Sequence, residues 1–317
     1  MRNHTTTFTV GALSLCLWGI SFTASAPAAE SQAQADASPT KPRGQLLTFD
    51  DLQRRLNDPN LRILDCRPRA DYEKGHLPGA LWVDTKALET RAAQPGGLTD
   101  RTFWENWAGT LGLTAQSAVV TYDARKQLDA ARVWFFLRWM GVENAALVNG
   151  GFPLWAKEQR PVTTDVPQIP TRPWKVEFQK DVGAAREDVL AALKDRSAKV
   201  LDNRTAAEVS GTDRKSKRGG HIPAACHLEW TQLVDDDGRF LNRQDLLGKF
   251  EKAGIRTGEQ VICHCQGGGR AAVSTFALEW LGCRARNYYL GWSDWGNAEG
   301  TPIVEGAIAT PQDAPER

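Results

Sequence analysis

The sequence predicts an α/β protein made of two tandem copies of one domain, each a parallel sheet with helices on both faces. Short apolar runs alternate with helical stretches, the order that a parallel sheet with crossover helices demands. A set of short motifs also recurs in the same order in both halves, the mark of an internal repeat. The length of 317 residues suits about two domains, and 41% apolar residues with 12 tryptophans can fill their cores. A net charge of +1 argues against nucleic acid as the main partner.

The chain opens on a segment outside this repeat. Arg2 supplies a positive start, Val10 to Ile20 (VGALSLCLWGI) a short apolar core, and Ala26-Pro27-Ala28 a small-x-small cleavage site. Residues 1–28 therefore read as a secretory signal, with a mature start near Ala29 and the bacterial periplasm as the preferred destination. The apolar run is too short to span a membrane comfortably, so no stable insertion is expected after cleavage. Residues 29–44 are rich in Ala, Ser, Gln and Pro and read as a disordered tether.

The first domain is placed at residues 45–161. Thr48 and Asp51 give a capping-box-like start to a short helix through Leu56. Leu61–Asp65 (LRILD) reads as a strand ending in Asp65-Cys66-Arg67, followed by Tyr72 and by Gly75-His76-Leu77-Pro78-Gly79-Ala80. Ala118–Tyr122 (AVVTY) is a strand running into Asp123, and a helix with aromatic residues follows (AARVWFFLRWMG). A strand at Ala145–Val148 leads to Asn149-Gly150-Gly151-Phe152 and Trp155. Residues 162–181 carry Pro167, Pro170 and Pro173 and read as an extended, semi-rigid linker.

The second domain is placed at residues 182–303, and the motifs return there. Val200-Leu201-Asp202-Asn203-Arg204 matches the strand ending in Asp65-Cys66-Arg67, and Gly220 to Ala225 (GHIPAA) matches Gly75 to Ala80. Leu278-Glu279-Trp280-Leu281-Gly282 matches Leu137-Arg138-Trp139-Met140-Gly141, while Gly291 and Trp295 match Gly151 and Trp155. Val261 to Cys265 matches Val119 to Asp123, so the first domain has no thiol where the second has Cys265. Residues 304–317, rich in Pro and Ala, read as a loose tail.

The chemistry centres on Cys265-Gln266-Gly267-Gly268-Gly269-Arg270, between a strand end and a helix. Three glycines let the backbone curl and turn its N–H groups inward, and the helix adds its unpaired N-terminal N–H groups. Such a cup favours an anion and a thiolate at its rim. Ionisation alone gains little. Lowering a thiol pKa of ~8.5 by about two units raises the thiolate fraction at neutral pH roughly 25-fold. The same shift costs about eightfold in nucleophilicity, for a Brønsted slope of ~0.45. The net gain is about threefold, so the loop's larger purpose is to hold an anionic substrate and stabilise charge in the transition state.

A cysteine, four residues and a sixth closing position between strand and helix resemble the active loop of the rhodanese sulfurtransferases. The Asp-x-Arg and Gly-His-[Ile/Leu]-Pro-x-Ala motifs, each present twice, extend the resemblance over roughly Gln45 to Ile303. It implies that Cys265 takes a sulfane sulfur from a small anionic donor, thiosulfate or 3-mercaptopyruvate, and becomes a persulfide. The acceptor would be cyanide or a thiol, a protein thiol included, with no metal and no organic cofactor. It implies substrate-binding roles for Arg204, Arg270, Gln266, Gly267, Gly268 and Gly269; for Arg204 the alternative is an ion pair with Asp202. The loop fits neither the thiosulfate-type pattern, with a basic residue early, nor the mercaptopyruvate-type pattern, so the donor stays open between them.

Other residues read as structural. His76 and His221 occupy one motif position in both domains, although only one domain has the nucleophile. His264 alternates with Cys265 on a strand and points to the other face. Of six cysteines, Cys16 falls in the leader, and Cys66, Cys226, Cys263 and Cys283 read as buried thiols. The basic run Arg214, Lys215, Lys217 and Arg218 reads as a solvated loop, and Asp235-Asp236-Asp237-Gly238 as a turn. Two rival functions remain at this point: a cysteine-dependent phosphatase or arsenate-type enzyme, whose loop needs one more residue before its arginine, and a non-enzymatic sulfur carrier or binding protein on the same fold.

Overall fold

The computed structural model describes Gly44 to Ile308 apart from Ala115, together with the isolated residues Thr7 and Thr9. The expected leader, most of the tether and the last residues of the tail lie outside the described residues. Gly44, assigned to the tether, is buried against the backbone of Phe276 and Trp280.

Two all-parallel sheets are present among the described residues. The first holds β1 (Gln45–Leu47), β2 (Leu61–Asp65), β3 (Ala80–Trp82), β4 (Ala118–Tyr122) and β5 (Ala145–Val148), in the order β1-β5-β4-β2-β3. The second holds β6 (Lys199–Asp202), β7 (Cys226–His227), β8 (Gln260–His264) and β9 (Arg284–Tyr288), in the order β7-β6-β8-β9. β1 has no signal in the sequence, because three residues are too few to show a period. Its counterpart in the second sheet shrinks to one bridge between Gly183 and Asn287. The first helix, Phe49–Gln53, starts at the expected Thr48–Asp51 capping box but ends short of Leu56.

Both faces of each sheet are buried, and the strands alternate between two cores. Ile63, Val120, Ala146 and Val148 enter one cluster, while Leu64, Val119, Ala145 and Leu147 enter another. In the second sheet Val200, Ile262 and Tyr288 face one way, and Leu201, Val261, Cys263 and Ala285 the other. The inward faces of both sheets share a single core. Its centre is the pair of helices Leu128–Trp139 and Gly269–Leu281, with Trp134 edge-on to Phe276 at 5.1 Å.

Two segments are more firmly held than the sequence predicts. The linker region has no helix, yet it lies along the first domain: Thr163 bridges His76, Arg172 N–H donates to Gly109 O at 3.0 Å, and Val176 is buried. The expectation of a loose tail from 304 is corrected for its first residues. Val304 exchanges two main-chain hydrogen bonds with His221, and Gly306 N–H donates to Ser210 O at 3.1 Å. Among the described residues, no helix is long and apolar enough to cross a membrane.

Candidate active site

Cys265 follows directly on the carboxyl end of β8, beside β6 at the centre of its sheet, where open parallel sheets bind ligands. It is 2% exposed. The loop curls through Gly268, whose φ of 77° is left-handed, and then starts the helix Gly269–Leu281. The Cys265 carbonyl accepts from Trp292 N–H at 2.8 Å, and a Cβ on Gly291 would lie 2.2 Å from that carbonyl, so only glycine fits there.

The first domain carries the same construction around Asp123. Its carbonyl accepts from Phe152 N–H at 2.8 Å, over Gly151. Its carboxylate fills the cup of its own loop: one oxygen accepts from Arg125 N–H at 3.0 Å and Gln127 N–H at 3.1 Å. The other accepts from Asp129 N–H at 2.8 Å and Ala130 N–H at 3.0 Å. Burial nevertheless pushes the pKa of this carboxyl above its ordinary value, against those four donors. The second loop is one residue shorter, so the first donor is matched by counting from Cys265 and the other three from the helix start; the corresponding donors are Gly267, Gly268, Arg270 and Ala271. None of these four N–H groups meets a protein acceptor among the described residues. Gly269, expected among the binding residues, is corrected in one respect: its N–H donates to Gly267 O at 3.0 Å and is not free. Ala271 carries no sequence signal, because only the backbone of that residue matters.

Arg270 lies where expected. Its guanidinium grips Glu208 through two hydrogen bonds of 2.6 and 2.8 Å. Burial opposes its charge, but Glu208 and the Cys265 sulfur hold its pKa above the ordinary value. Glu208, 1% exposed, was not anticipated as a site residue. It also closes the capping box with Thr205 and lies 3.6 Å from Lys215 Nζ. Burial raises its pKa, but Arg270 outweighs burial and lowers it to about 2. Gln266 is tied by its side-chain amide to Ser216 Oγ at 3.2 Å, which places the basic run over the loop. Within that run, Arg218 staples the chain end instead, donating to Trp295 O at 3.0 Å and Thr301 O at 2.9 Å.

Arg204 is a correction. It is 1% exposed and committed to Asp202, with contacts of 2.6 to 3.1 Å, and to Gly220 O at 2.8 Å. Its guanidinium lies 4.2 Å from the Trp292 ring. Arg67 repeats this arrangement in the first domain, with Asp65 at 2.6 to 3.1 Å, Gly75 O at 2.7 Å and the Phe152 ring at 3.5 Å. A geometry repeated in the domain whose loop carries Asp123 in place of the cysteine is a brace for the loop and not a donor ligand. His264, as expected, faces away; burial lowers its pKa to about 4, so it is neutral at neutral pH, and Arg204 is then the charge that keeps Asp202 ionised. His76 and His221 hydrogen-bond main-chain oxygens, as a structural role requires. None of the five described cysteines is bridged, and burial pushes the Cys263 thiol up to about 12.

A family model described as the rhodanese-like domain matches residues 48–158 and again residues 185–298. The chain belongs to the rhodanese family. Thiosulfate sulfurtransferase of Azotobacter vinelandii is 31% identical over 255 residues, 80% of this chain and 94% of its own. The 3-mercaptopyruvate sulfurtransferase of Escherichia coli is 28% identical over 271 residues, 80% of this chain and 95% of its own. The crystal structure of SseA from Escherichia coli, 26% identical, superposes with a TM-score of 0.67 over 79% of this chain and 100% of that one. This rhodanese is a sulfurtransferase with two tandem domains, which sets the phosphatase alternative aside.

Two outcomes are expected. Arg204→Lys and Arg67→Lys should each lower stability in urea unfolding by a similar amount, about 3–5 kcal/mol, because each leaves a buried carboxylate poorly paired. A loss confined to Arg204 would reinstate a special role for it. The depressed pKa of Glu208 stabilises the fold above pH 4.5, and that stability is lost as pH falls toward 2. Glu208→Gln should therefore flatten the acid limb of stability between those values, by up to roughly 3 kcal/mol, in unfolding curves measured at stepped pH.

Proposed function

We propose that Cys265 carries sulfur from thiosulfate or 3-mercaptopyruvate to cyanide or a thiol, with Arg270 and the N–H groups of Gly267, Gly268, Arg270 and Ala271 holding the anion. The observation that carries this reading is the filled cup of the first domain. An aspartate oxygen lies two bonds beyond Cβ and shares one negative charge. The outer sulfur of a cysteine persulfide also lies two bonds beyond Cβ and bears one negative charge. Asp123 thus stands in for a persulfide anion, and four matching donors await one beside Cys265.

In the first half-reaction the Cys265 thiolate attacks the sulfur to be transferred, the sulfane sulfur of thiosulfate or the thiol sulfur of 3-mercaptopyruvate. With thiosulfate a sulfur–sulfur bond forms, the donor's own breaks, and sulfite leaves with the electron pair. With 3-mercaptopyruvate the carbon–sulfur bond breaks and the carbon takes a proton to give pyruvate. In the second half-reaction cyanide or a thiolate attacks the outer sulfur, and the Cys265 thiolate returns. The same four donors serve the donor anion and the persulfide. Glu208 fixes the guanidinium of Arg270 at one edge of the site.

Incubation with thiosulfate or 3-mercaptopyruvate, without acceptor, should add the mass of one sulfur atom to the protein, and cyanide should remove it. Cys265→Ser should abolish the adduct, and single serine changes at Cys66, Cys226, Cys263 and Cys283 should leave it. No adduct from either donor on reduced, folded protein would overturn the assignment. The exported location rests on Arg2, the apolar core and Ala26-Pro27-Ala28. Protein from its native host should begin near Ala29 by N-terminal mass analysis; an intact Met1 on cytosolic protein would refute export.

A further inference from the structure

The helix Leu128–Trp139 of the first domain brings Arg132 against the active loop of the second. Arg132 is 7% exposed. Its Nη1 donates to Tyr289 Oη at 3.0 Å and lies 3.0 Å from Glu89 Oε1. Its Nη2 is bonded to no acceptor among the described residues and lies against Gly269, where a Cβ would be 2.4 Å from Nη2 and 2.7 Å from Cζ. Gly269 needs no left-handed backbone. A side chain at Gly269 would therefore have to displace this guanidinium from the loop.

Tyr289 links the two. Its ring lies under Gly268, where a Cβ would come within 2.1 Å of Cδ2, and it stacks on Phe135 at 5.4 Å. Burial raises its pKa to about 12, while Arg132 lowers it and the Cys265 sulfur raises it, so the phenol lies within the field of both. The matching position of the duplicated helix is Val273, fully buried, so the fold does not demand an arginine there. Arg270, by contrast, is neutralised by the Glu208 that grips it. Glu89, the partner of Arg132, is 34% exposed at its side chain and partly screened by water.

We propose that Arg132 is a positioning residue of the sulfur-transfer site. Supplied by the domain that lacks the nucleophile, it holds the loop through Gly268 and Gly269 and adds the positive charge that draws an anion to Cys265. This rests on Cys265 being the nucleophile. It gives the first domain a part in chemistry whose covalent steps occur in the second.

The test uses the whole chain and two alkylating probes of one chemistry and different charge. Iodoacetate carries a carboxylate and reads anion affinity at the cup; iodoacetamide is neutral and reads thiol reactivity and access. Alkylation at Cys265 is followed by mass spectrometry of its peptide. Arg132→Met should slow iodoacetate by about tenfold, the effect of one unit charge roughly 10 Å away at an effective dielectric near 20, and leave iodoacetamide within threefold. Arg132→Lys should restore iodoacetate to within threefold of wild type. Both probes slowed alike, or neither slowed, would overturn the proposal. If Arg132→Met does not fold, Tyr289→Phe keeps the ring under Gly268 and releases Nη1. It should then slow iodoacetate selectively, and an unchanged ratio of the two rates would overturn the proposal. Because alkylation needs no sulfur donor, charge selectivity with no sulfur adduct would reject the transfer reading and retain the anion cup.

Discussion

Four inward main-chain N–H groups at a strand–helix junction are the constraint on which the rest depends. Buried donors without acceptors cost about 1–3 kcal/mol each, so such a cup must be given an anion, water or a side chain. The first domain closes its cup permanently with Asp123. The second places a cysteine there, and its donors meet no protein acceptor among the described residues. The surroundings preserve the curl in both. Gly151 and Gly291 press on the loop carbonyls, and the Asp65–Arg67 and Asp202–Arg204 pairs brace Phe152 and Trp292, whose N–H groups hold those carbonyls.

Duplication alone would give two independent units. The structure merges them, because one face of each sheet and the helices following both loops enter a shared core. Each loop consequently meets residues of the other domain. The turn at Asp235–Gly238 covers the Asp123 loop, with Lys126 on Asp236 at 3.1 Å and Gln127 Nε2 donating to Gly238 O at 3.0 Å. Arg132 and Tyr289 back the Cys265 loop in the opposite sense. The domain whose loop carries Asp123 thus forms part of the wall behind the Cys265 loop.

The strands, the repeat and the pairing of Asp123 with Cys265 were legible because a period-two pattern and turn residues are local. The cysteine loop was legible because glycine spacing reports backbone shape. Arg204 was misassigned for a local reason too. Residues two apart at a strand end share a face, so Asp-x-Arg closes on itself before it can reach a ligand. Its copy at Arg67, in a domain without the thiol, held that answer in the sequence. Asp123 read only as a missing cysteine, because the four N–H donors around its carboxylate depend on how the following turn folds back. Glu208 and Arg132 could not be read at all, since each meets the loop only after tertiary packing brings a distant segment to it.

The charges around Cys265 then settle how the loop can favour transfer. Glu208 stays ionised down to about pH 2 and cancels Arg270 at every physiological pH, so this pair supplies direction more than charge. A bidentate, buried grip fixes the guanidinium plane and costs the site no reorganisation when negative charge moves from donor to persulfide. Attraction of an anion is left to the four N–H dipoles, to Lys215 beside Glu208, and to the field of Arg132. In the proposed cycle thiosulfate arrives with two negative charges, and one remains on the enzyme after sulfite leaves. A site with most of its arginine charge already matched binds the dianion less tightly than an open pair of arginines would. It retains nearly all of its hydrogen-bonding capacity for the monoanionic persulfide. In that cycle, donors that strengthen as charge moves onto the outer sulfur raise turnover, and tight binding of the donor does not.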